Sequence, residues 1–336
     1  MRETGEMTAA SRAALLADQA LELTVVGSFS RLGFAARSAL FGWDATPQPD
    51  LNGRTVVITG ATGGLGVAAA HLLAARGARL CLVGRDAART QAARQSILEA
   101  TSGAHVETVV ADLASLEAVR SAAAQLAAFV PRIDVLIHNA GALVHERRMT
   151  VDGLELTAQV HVVAPFLFTT LLLPLLRESA DARVIHVSSG GMYTRRLDVD
   201  ALDHPSEPFD GVRAYANAKR AQVVMTGLWA HDPAGRGISF HAMHPGWADT
   251  PGVQESLPGF RRVMRPLLRS AEQGADTMAW LAGAPEALES NAAFWLDRRP
   301  RATTVLPWTR TTDREAERLW DWCVARSGLR TEIETS

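Results

Sequence analysis

Short apolar runs rich in β-branched residues alternate with longer Ala- and Leu-rich stretches over most of the chain. In the longer stretches, such as Leu65–Arg76 and Leu116–Phe129, apolar positions recur with the period of a helix. This alternation is typical of a parallel sheet with helices between its strands. We therefore expect an α/β fold, a Rossmann-type doubly wound parallel sheet of about seven strands with helices on both faces. The predicted strands are Thr55–Thr59, Leu80–Gly84, Val106–Val110, Val135–His138, Val184–Val187, Ile238–Met243 and Ala293–Leu296.

The segment before the first strand has a different pattern. Residues 15–41 are rich in Leu, Val and Phe with interspersed arginines, and two prolines follow. We expect an N-terminal helical extension and linker over residues 1–50, one α/β domain over residues 51–310, and a C-terminal helix and tail over residues 311–336. Two hypotheses apply to the extension: its helices pack on the flank of the domain, or they contact a membrane surface or a partner.

Composition narrows the class of protein. The chain has 336 residues, is 47% hydrophobic and carries a formal net charge of −2, so nucleic acid is not an expected partner. Its two cysteines form no CxxC pair, which fits a reducing cytoplasm. The longest apolar stretches are broken by arginine, and we expect no segment that spans a bilayer. The histidines lack companions at ligand spacing, so no metal site is predicted.

The basic residues are strongly biased, with 33 Arg and one Lys, and there are only two Tyr. The single Lys219 follows Tyr215 by four residues, a spacing that random placement produces in about 2 of 336 cases. Residues four apart share one face of a helix. Unlike Arg, Lys has a compact ammonium group with a tunable pKa. The pair is therefore predicted to do chemistry together.

A glycine-rich string lies between the first predicted strand and the first predicted helix. Glycines suit such a turn because it is tight and its backbone must approach a pyrophosphate at the helix N-terminus. In this context the string predicts a dinucleotide site, and an ordinary glycine turn is the alternative. The candidate cofactor-binding residues are Gly60, Thr62, Gly63, Gly64, Leu65 and Gly66.

The end of the second strand carries information about the cofactor. Dinucleotide sites usually place an acid there to bind the ribose 2′-hydroxyl, but this chain has Gly84 followed by Arg85. An arginine favours a 2′-phosphate, so NADP(H) is expected over NAD(H), unless Asp86 turns inward. After the third strand, Asp112 and Leu113 are expected to close over the adenine; a helix cap is the alternative role of Asp112.

Four further motifs follow later strands in order. They are Asn139-Ala140-Gly141 after the fourth, Ser188-Ser189 after the fifth, Tyr215 with Lys219, and Pro245-Gly246 with Thr250 after the sixth. With the glycine string, this ordered set over residues 53–250 resembles the short-chain dehydrogenase/reductase family. Segments such as Phe29–Gly33 and Phe294–Arg298 are similar to its dehydrogenase/reductase member 12-like subfamily.

The resemblance implies an oxidoreductase that interconverts an alcohol and a carbonyl with a nicotinamide cofactor. In this family pattern Tyr215 is the general acid/base, Lys219 lowers its pKa and binds the nicotinamide ribose, and Ser189 orients the substrate. In the same pattern Thr250 holds the carboxamide of the nicotinamide. Asn139, Ala140 and Gly141 lie beneath the cofactor, and Pro245 and Gly246 lie beside it.

One position departs from the family pattern. His161 stands where an asparagine usually holds a water that relays protons from the lysine. An imidazole can hold a water or accept a proton, which gives His161 a catalytic role in the relay and a titration near neutral pH. The alternative is a helix histidine with a structural bond.

The substrate is expected to be a lipophilic small molecule. An apolar stripe at Phe260, Val263 and Leu267 predicts a lid, or else a surface helix that Pro266 distorts. Two rival functions remain: a nucleotide-sugar epimerase or dehydratase of the extended branch, because the glycine spacing fits it, and a cofactor-binding scaffold with weak catalysis. A homo-oligomer, a cytoplasmic location and membrane contact through residues 1–50 are further hypotheses.

Overall fold

One eight-stranded sheet runs through the computed structural model, which describes residues 9–204 and 207–329. The strands are β1 Thr55–Thr59, β2 Arg79–Gly84, β3 His105–Val110, β4 Val135–His138, β5 Arg183–Val187, β6 Ser239–Met243, β7 Ala293–Leu296 and β8 Arg299–Arg301. Their order in the sheet is β3-β2-β1-β4-β5-β6-β7-β8, and all neighbours are parallel except β7 and β8. The predicted doubly wound sheet and its seven strands are confirmed, each boundary to within one residue, whereas β8 was not predicted.

Burial explains why these runs become strands. Every residue of β1, β4 and β5 is buried, because helices cover both faces of the sheet and each strand can be apolar throughout. At the edge of the sheet, only Val106 and Val109 of β3 are buried, and both ends of the strand are exposed. The apolar side chains of β1 point alternately into two core layers, with Val57 in one layer and Ile58 in the other.

Helices form the two outer layers. The helices are α1 Ala9–Glu22, α2 Val25–Phe29, α3 Arg31–Phe41, α4 Gly64–Ala74, α5 Ala87–Ala100, α6 Leu116–Phe129, α7 Leu156–Ala158, α8 Ala164–Arg177, α9 Asp200–Asp203, α10 Gly211–His231, α11 Pro251–Ser256, α12 Pro258–Met264, α13 Ala271–Leu281, α14 Glu286–Glu289 and α15 Asp313–Ser327. One core layer lies between the sheet and α6, α8, α10 and α15, and the other lies between the sheet and α4, α5 and α13.

A π-helical turn at Gln159–Val163 joins α7 and α8 into one continuous helix, Leu156–Arg177. By length and composition alone this helix is apolar enough to cross a membrane, although the sequence analysis expected no such segment. Within the fold, 78% of its most apolar window is buried. The side chains of α8, among them Phe166 and Leu172, fill the core between the sheet, α6 and α15, which accounts for the apolar composition.

The N-terminal extension is held by a buried charge network. The Asp297 carboxylate is fully buried between two arginines: its Oδ2 lies 2.7 Å from Arg37 Nη1, and its Oδ1 lies 2.6 Å from Arg269 Nη1. The carbonyl of Ser28 accepts a hydrogen bond from each guanidinium. Buried charges are tolerated only when they are paired in this way, so the network fixes α2 and α3 against the domain. The domain limits at residues 50 and 310 stay predictions.

Candidate active site

The loops that follow β1 and β4 are joined at the carboxyl edge of the sheet. The Asn139 side chain donates hydrogen bonds to the carbonyls of Thr59 and Gly60, at 3.0 and 3.1 Å. The backbone N–H groups of Asn139 and Ala140 both donate to Thr59 Oγ1. Asn139 therefore braces the floor beneath the predicted cofactor site. Ligands of open parallel sheets bind at this edge.

The glycine turn is built for close approach of backbones. Gly60 has φ +70°, and a Cβ there would lie 2.7 Å from Ala140 Cα. A Cβ on Gly66 would lie 2.2 Å from the Gly60 carbonyl oxygen. The following helix α4 begins at Gly64, and no side chain of the described residues caps its N-terminus. The first N–H groups of α4 are thus available for an anion such as a pyrophosphate.

The end of β2 excludes a carboxylate and presents arginines. A Cβ on Gly84 would lie 2.3 Å from Thr90 Oγ1, so the position has no room for an acid. The Asp86 carboxylate accepts a hydrogen bond from the Arg89 backbone N–H at 2.8 Å and caps α5, so it is not turned toward the nucleotide site. Arg85 is exposed. The Arg89 guanidinium lies beside the glycine turn, 3.6 Å from the place of a Cβ on Gly63; sequence reasoning missed it.

The two residues predicted to close over the adenine face different surroundings. The Asp112 carboxylate accepts a hydrogen bond from the Ala114 N–H at 3.0 Å and so stabilises a turn, while Ser115 caps α6. The Leu113 side chain is buried in the core beneath α6. Side-chain contact between Leu113 and a nucleotide is therefore not supported. The carboxylate of Asp112 is exposed, and its contact with adenine stays a prediction.

Ser189, Tyr215 and Lys219 come together at the end of β5. The Ser188 hydroxyl donates to the Lys219 carbonyl at 2.9 Å, which ties the strand end to α10 and leaves Ser189 as the serine that faces Tyr215. Lys219 Nζ donates to the Val187 carbonyl at 2.8 Å and lies 5.4 Å from the centroid of the Tyr215 ring. The Tyr215–Lys219 spacing on α10 thus produces the predicted proximity.

Burial has the largest effect on the pKa values of this cluster. Burial raises the pKa of Tyr215 to about 12, against the opposing effect of its hydrogen bond with Ser189. Burial also lowers the pKa of Lys219 to about 7. In the protein alone, burial opposes the predicted lowering of the Tyr215 pKa by Lys219, because desolvation disfavours both the phenolate and the ammonium. The effect of Lys219 on Tyr215 stays a prediction. At neutral pH Tyr215 holds its proton.

His161 lies against the same cluster, with its ring edge-on to Tyr215 at 5.3 Å between centroids. Its Nδ1 donates to the Thr157 carbonyl at 2.8 Å, and its Nε2 accepts a hydrogen bond from the Ala142 N–H at 3.2 Å. Burial, helped by the nearby charge of Lys219, holds the pKa of His161 well below 6.5. Both ring nitrogens are used by backbone, so the geometry favours the structural bond over the predicted relay.

The loop after β6 forms the other side of the site. Gly246 has φ +70°, and a Cβ there would lie 2.4 Å from Arg269 Nε. The Pro245 carbonyl accepts a weak hydrogen bond from Arg269 at 3.4 Å. Thr250 caps α11, where its hydroxyl accepts a hydrogen bond from the Val253 N–H. Its predicted contact with a carboxamide stays a prediction.

The helices after this loop reach across the site. The His145 ring, in the loop after β4, lies 2.7 Å from the carbonyl of Ser256, and the Ser256 hydroxyl donates to the Leu143 carbonyl at 3.0 Å. Phe260 of α12 packs edge-on against Trp247 at 5.4 Å. The helix then ends in a 3₁₀ turn at Arg265–Leu267, the distortion that the proline predicts. These contacts favour a cover over the site.

Comparison with known proteins shows the family of this chain. The family model of the short chain dehydrogenases matches residues 54–259. The chain belongs to that family. Dehydrogenase/reductase SDR family member 12 of Bos taurus is 40% identical over 296 residues, which are 86% of this chain and 90% of the relative. Human retinol dehydrogenase 13 is 30% identical over 309 residues, 89% of this chain and 92% of that protein.

One solved structure with a similar fold is a complex with NADP. The Pseudomonas aeruginosa RhlG/NADP active-site complex has 25% sequence identity and a TM-score of 0.61, and the match covers 74% of this chain and 96% of that one. The family match and the relatives together identify this short-chain dehydrogenase as an NAD(P)-dependent oxidoreductase.

Proposed function

We propose that this short-chain dehydrogenase interconverts an alcohol and a carbonyl on a lipophilic small molecule with NADP(H). The observation that carries the proposal is the cluster of Ser189, Tyr215 and Lys219 at the same sheet edge as the uncapped glycine turn. A carbonyl that is being reduced needs a hydrogen-bond donor and a proton donor at its oxygen, and this cluster offers both.

In this mechanism the Ser189 hydroxyl donates a hydrogen bond to the substrate carbonyl and fixes its position. Tyr215, protonated at neutral pH, passes its phenolic proton to the same oxygen as the carbon is reduced. Lys219, with a pKa of about 7, changes charge in the working range and stabilises the phenolate that remains. NADP(H), when bound, supplies or accepts the hydride.

The preference for NADP(H) over NAD(H) is proposed from the end of β2. Gly84 leaves no room for an acid, Asp86 is committed to its helix cap, and the guanidinium of Arg89 lies beside Gly63. Arg85 adds a second exposed guanidinium. Two arginines suit a 2′-phosphate, because guanidinium groups bind phosphate with paired hydrogen bonds.

The lipophilic substrate is proposed from aromatic side chains at the loops after β5 and β6. Phe29, Trp247 and Phe260 form an aromatic row beside the loop after β6. Retinol dehydrogenase 13, a relative at 30% identity, is named for a long apolar alcohol. Both observations support an apolar group next to the reacting carbon.

A cofactor-and-chain-length screen tests the function. Purified protein is incubated with NADPH or NADH and with carbonyls of increasing chain length, and absorbance of the reduced cofactor is followed. We expect turnover that is faster with NADPH and that increases with chain length. Tight NADPH binding without turnover of any carbonyl would favour the scaffold function instead.

We also propose that the N-terminal extension contacts a membrane surface. Among the described residues, six of the fifteen exposed large apolar side chains lie on α1–α3 or between them, and Leu23 is 88% exposed. An apolar groove of about 670 Å³ lies between α1 and α3, with Ala20 and Leu40 in its lining. The exposed Arg12 and Arg31 lie at the same extension and suit anionic headgroups.

Vesicle sedimentation tests this contact. We expect the protein to sediment with phosphatidylcholine/phosphatidylserine vesicles, and a Leu16→Ser/Leu23→Ser variant to stay in the supernatant. Val263→Ser, which changes an equally exposed residue on α12, is the matched control and should still sediment. Equal sedimentation of both variants would refute the contact. A homo-oligomer and a cytoplasmic location stay predictions; light scattering tests the first.

A further inference from the structure

The N-terminal extension reaches the loops of the active site through one residue. The Phe29 ring packs so closely on Gly190, the neighbour of Ser189, that a Cβ on Gly190 would lie 2.7 Å from Phe29 Cε2. The same ring lies edge-on to His244 at 4.6 Å and to Trp247 at 5.9 Å between centroids. Phe29 therefore contacts both the loop after β5 and the loop after β6.

The backbone of Phe29 is fixed as firmly as its ring. Its carbonyl accepts hydrogen bonds from the Trp247 N–H at 2.8 Å and from Arg269 Nε at 2.9 Å. Arg269 is in turn buried against Asp297, which also pairs with Arg37 of the extension. These contacts hold Phe29 between the two loops, so the position of the ring is set by the fold.

We infer that Phe29 is a specificity-determining residue that the extension contributes to the substrate site. Gly190 follows the serine that orients the substrate, and Trp247 follows the Pro-Gly loop, so a ring that contacts both forms a wall beside the reacting carbon. The ring is half-buried and apolar, and it continues into the row formed by Trp247 and Phe260. The wall limits how bulky an apolar group next to the carbonyl can be. This inference rests on the proposed carbonyl reduction.

The test compares two cyclic ketones of different size, cyclohexanone and cyclododecanone, with NADPH. In Phe29→Ala the ratio of kcat/KM for the larger over the smaller ketone should rise about tenfold or more, mainly through KM, which is a typical effect of changing an apolar pocket. Phe41→Ala is the matched control, because Phe41 belongs to the same extension but packs on Arg299. It should leave the ratio unchanged.

The contact itself is tested by a double variant. Gly190→Ala should lower kcat/KM for both ketones, because its new methyl group collides with the ring, and Phe29→Ala in the same chain should remove that loss. A purely structural role of Phe29 would lower both activities together without a change of ratio, and that result would overturn the inference.

The inference and the proposed function fail in different ways. If the wild type turns over neither ketone, the proposed function fails, and calorimetric binding of the two ketones to the NADPH-saturated protein replaces turnover as the readout. A ratio of Kd values that is equal in the wild type and Phe29→Ala would then overturn the wall by itself, whereas a shifted ratio would support it.

Discussion

Lys219→Met removes the buried amine of the active site, and its effect on stability depends on pH. Burial lowers the pKa of Lys219 from its ordinary 10.5 to about 7, and its side chain is 3% exposed. Each unit of difference between the two pKa values corresponds to about 1.36 kcal/mol. Burial of this amine therefore lowers the free energy of unfolding by about 5 kcal/mol at pH 7 and below. Between pH 7 and 10.5 only the unfolded state binds the proton, so the wild type regains stability as the pH rises. At pH 9 the remaining cost is about 2 kcal/mol.

Urea unfolding at pH 6 and pH 9 measures this difference. The wild type should gain about 3 kcal/mol more than Lys219→Met on going from pH 6 to pH 9, whatever the methionine contributes to packing. Val212→Met, at an exposed position on the first turn of α10, is the control and should follow the wild type at both pH values. Parallel pH dependence of the wild type and Lys219→Met would refute the lowered pKa.

Three further predictions concern the surroundings of the site. Gly246→Ala should destabilise the fold by at least about 2 kcal/mol in urea unfolding, because φ is +70° and the new methyl group meets Arg269. The control is Gly227→Ala on α10, where a methyl group has open space; it should be neutral or stabilising. Arg85→Ser should weaken NADPH binding about tenfold or more in calorimetry and leave NADH binding unchanged; equal losses would contradict the 2′-phosphate contact. His161 should stay neutral with its proton on Nδ1 from pH 5.5 to 8 in ¹⁵N NMR, and a titration near pH 6.5 would restore the relay.

The strands were predictable because parallel strands buried on both faces are continuous apolar runs. β8 was missed because its three residues, Arg299–Arg301, carry no apolar pattern and are defined only by pairing with β7. The glycine turn was also predictable, since its geometry is local to a few residues. The charge network around Asp297 was not, because its partners are far apart in the chain.

The candidate site residues also differ in how much of their role the sequence alone could predict. Tyr215 and Lys219 are one helical turn apart, and their pairing follows from helix geometry, but their pKa values follow from burial that only the fold defines. For His161 the sequence left two roles open, a proton relay and a structural bond. Only its contacts with Thr157 and Ala142 in the fold favour one of them. Phe29 lies far from Gly190 in sequence, and the resemblance noted for Phe29–Gly33 did not indicate their contact. A hint was the glycine directly after Ser189, because a backbone that another side chain approaches closely requires glycine.

The central claim is that Tyr215 is the proton donor of an NADPH-dependent carbonyl reductase. Turnover of the best ketone in the size series is measured for Tyr215→Phe together with NADPH binding, and Tyr193→Phe, which changes the other tyrosine of the chain, is the matched control. We predict that Tyr215→Phe binds NADPH as the wild type does but loses about a hundredfold to ten-thousandfold in kcat, while Tyr193→Phe retains its turnover. Undiminished turnover by Tyr215→Phe would contradict the claim.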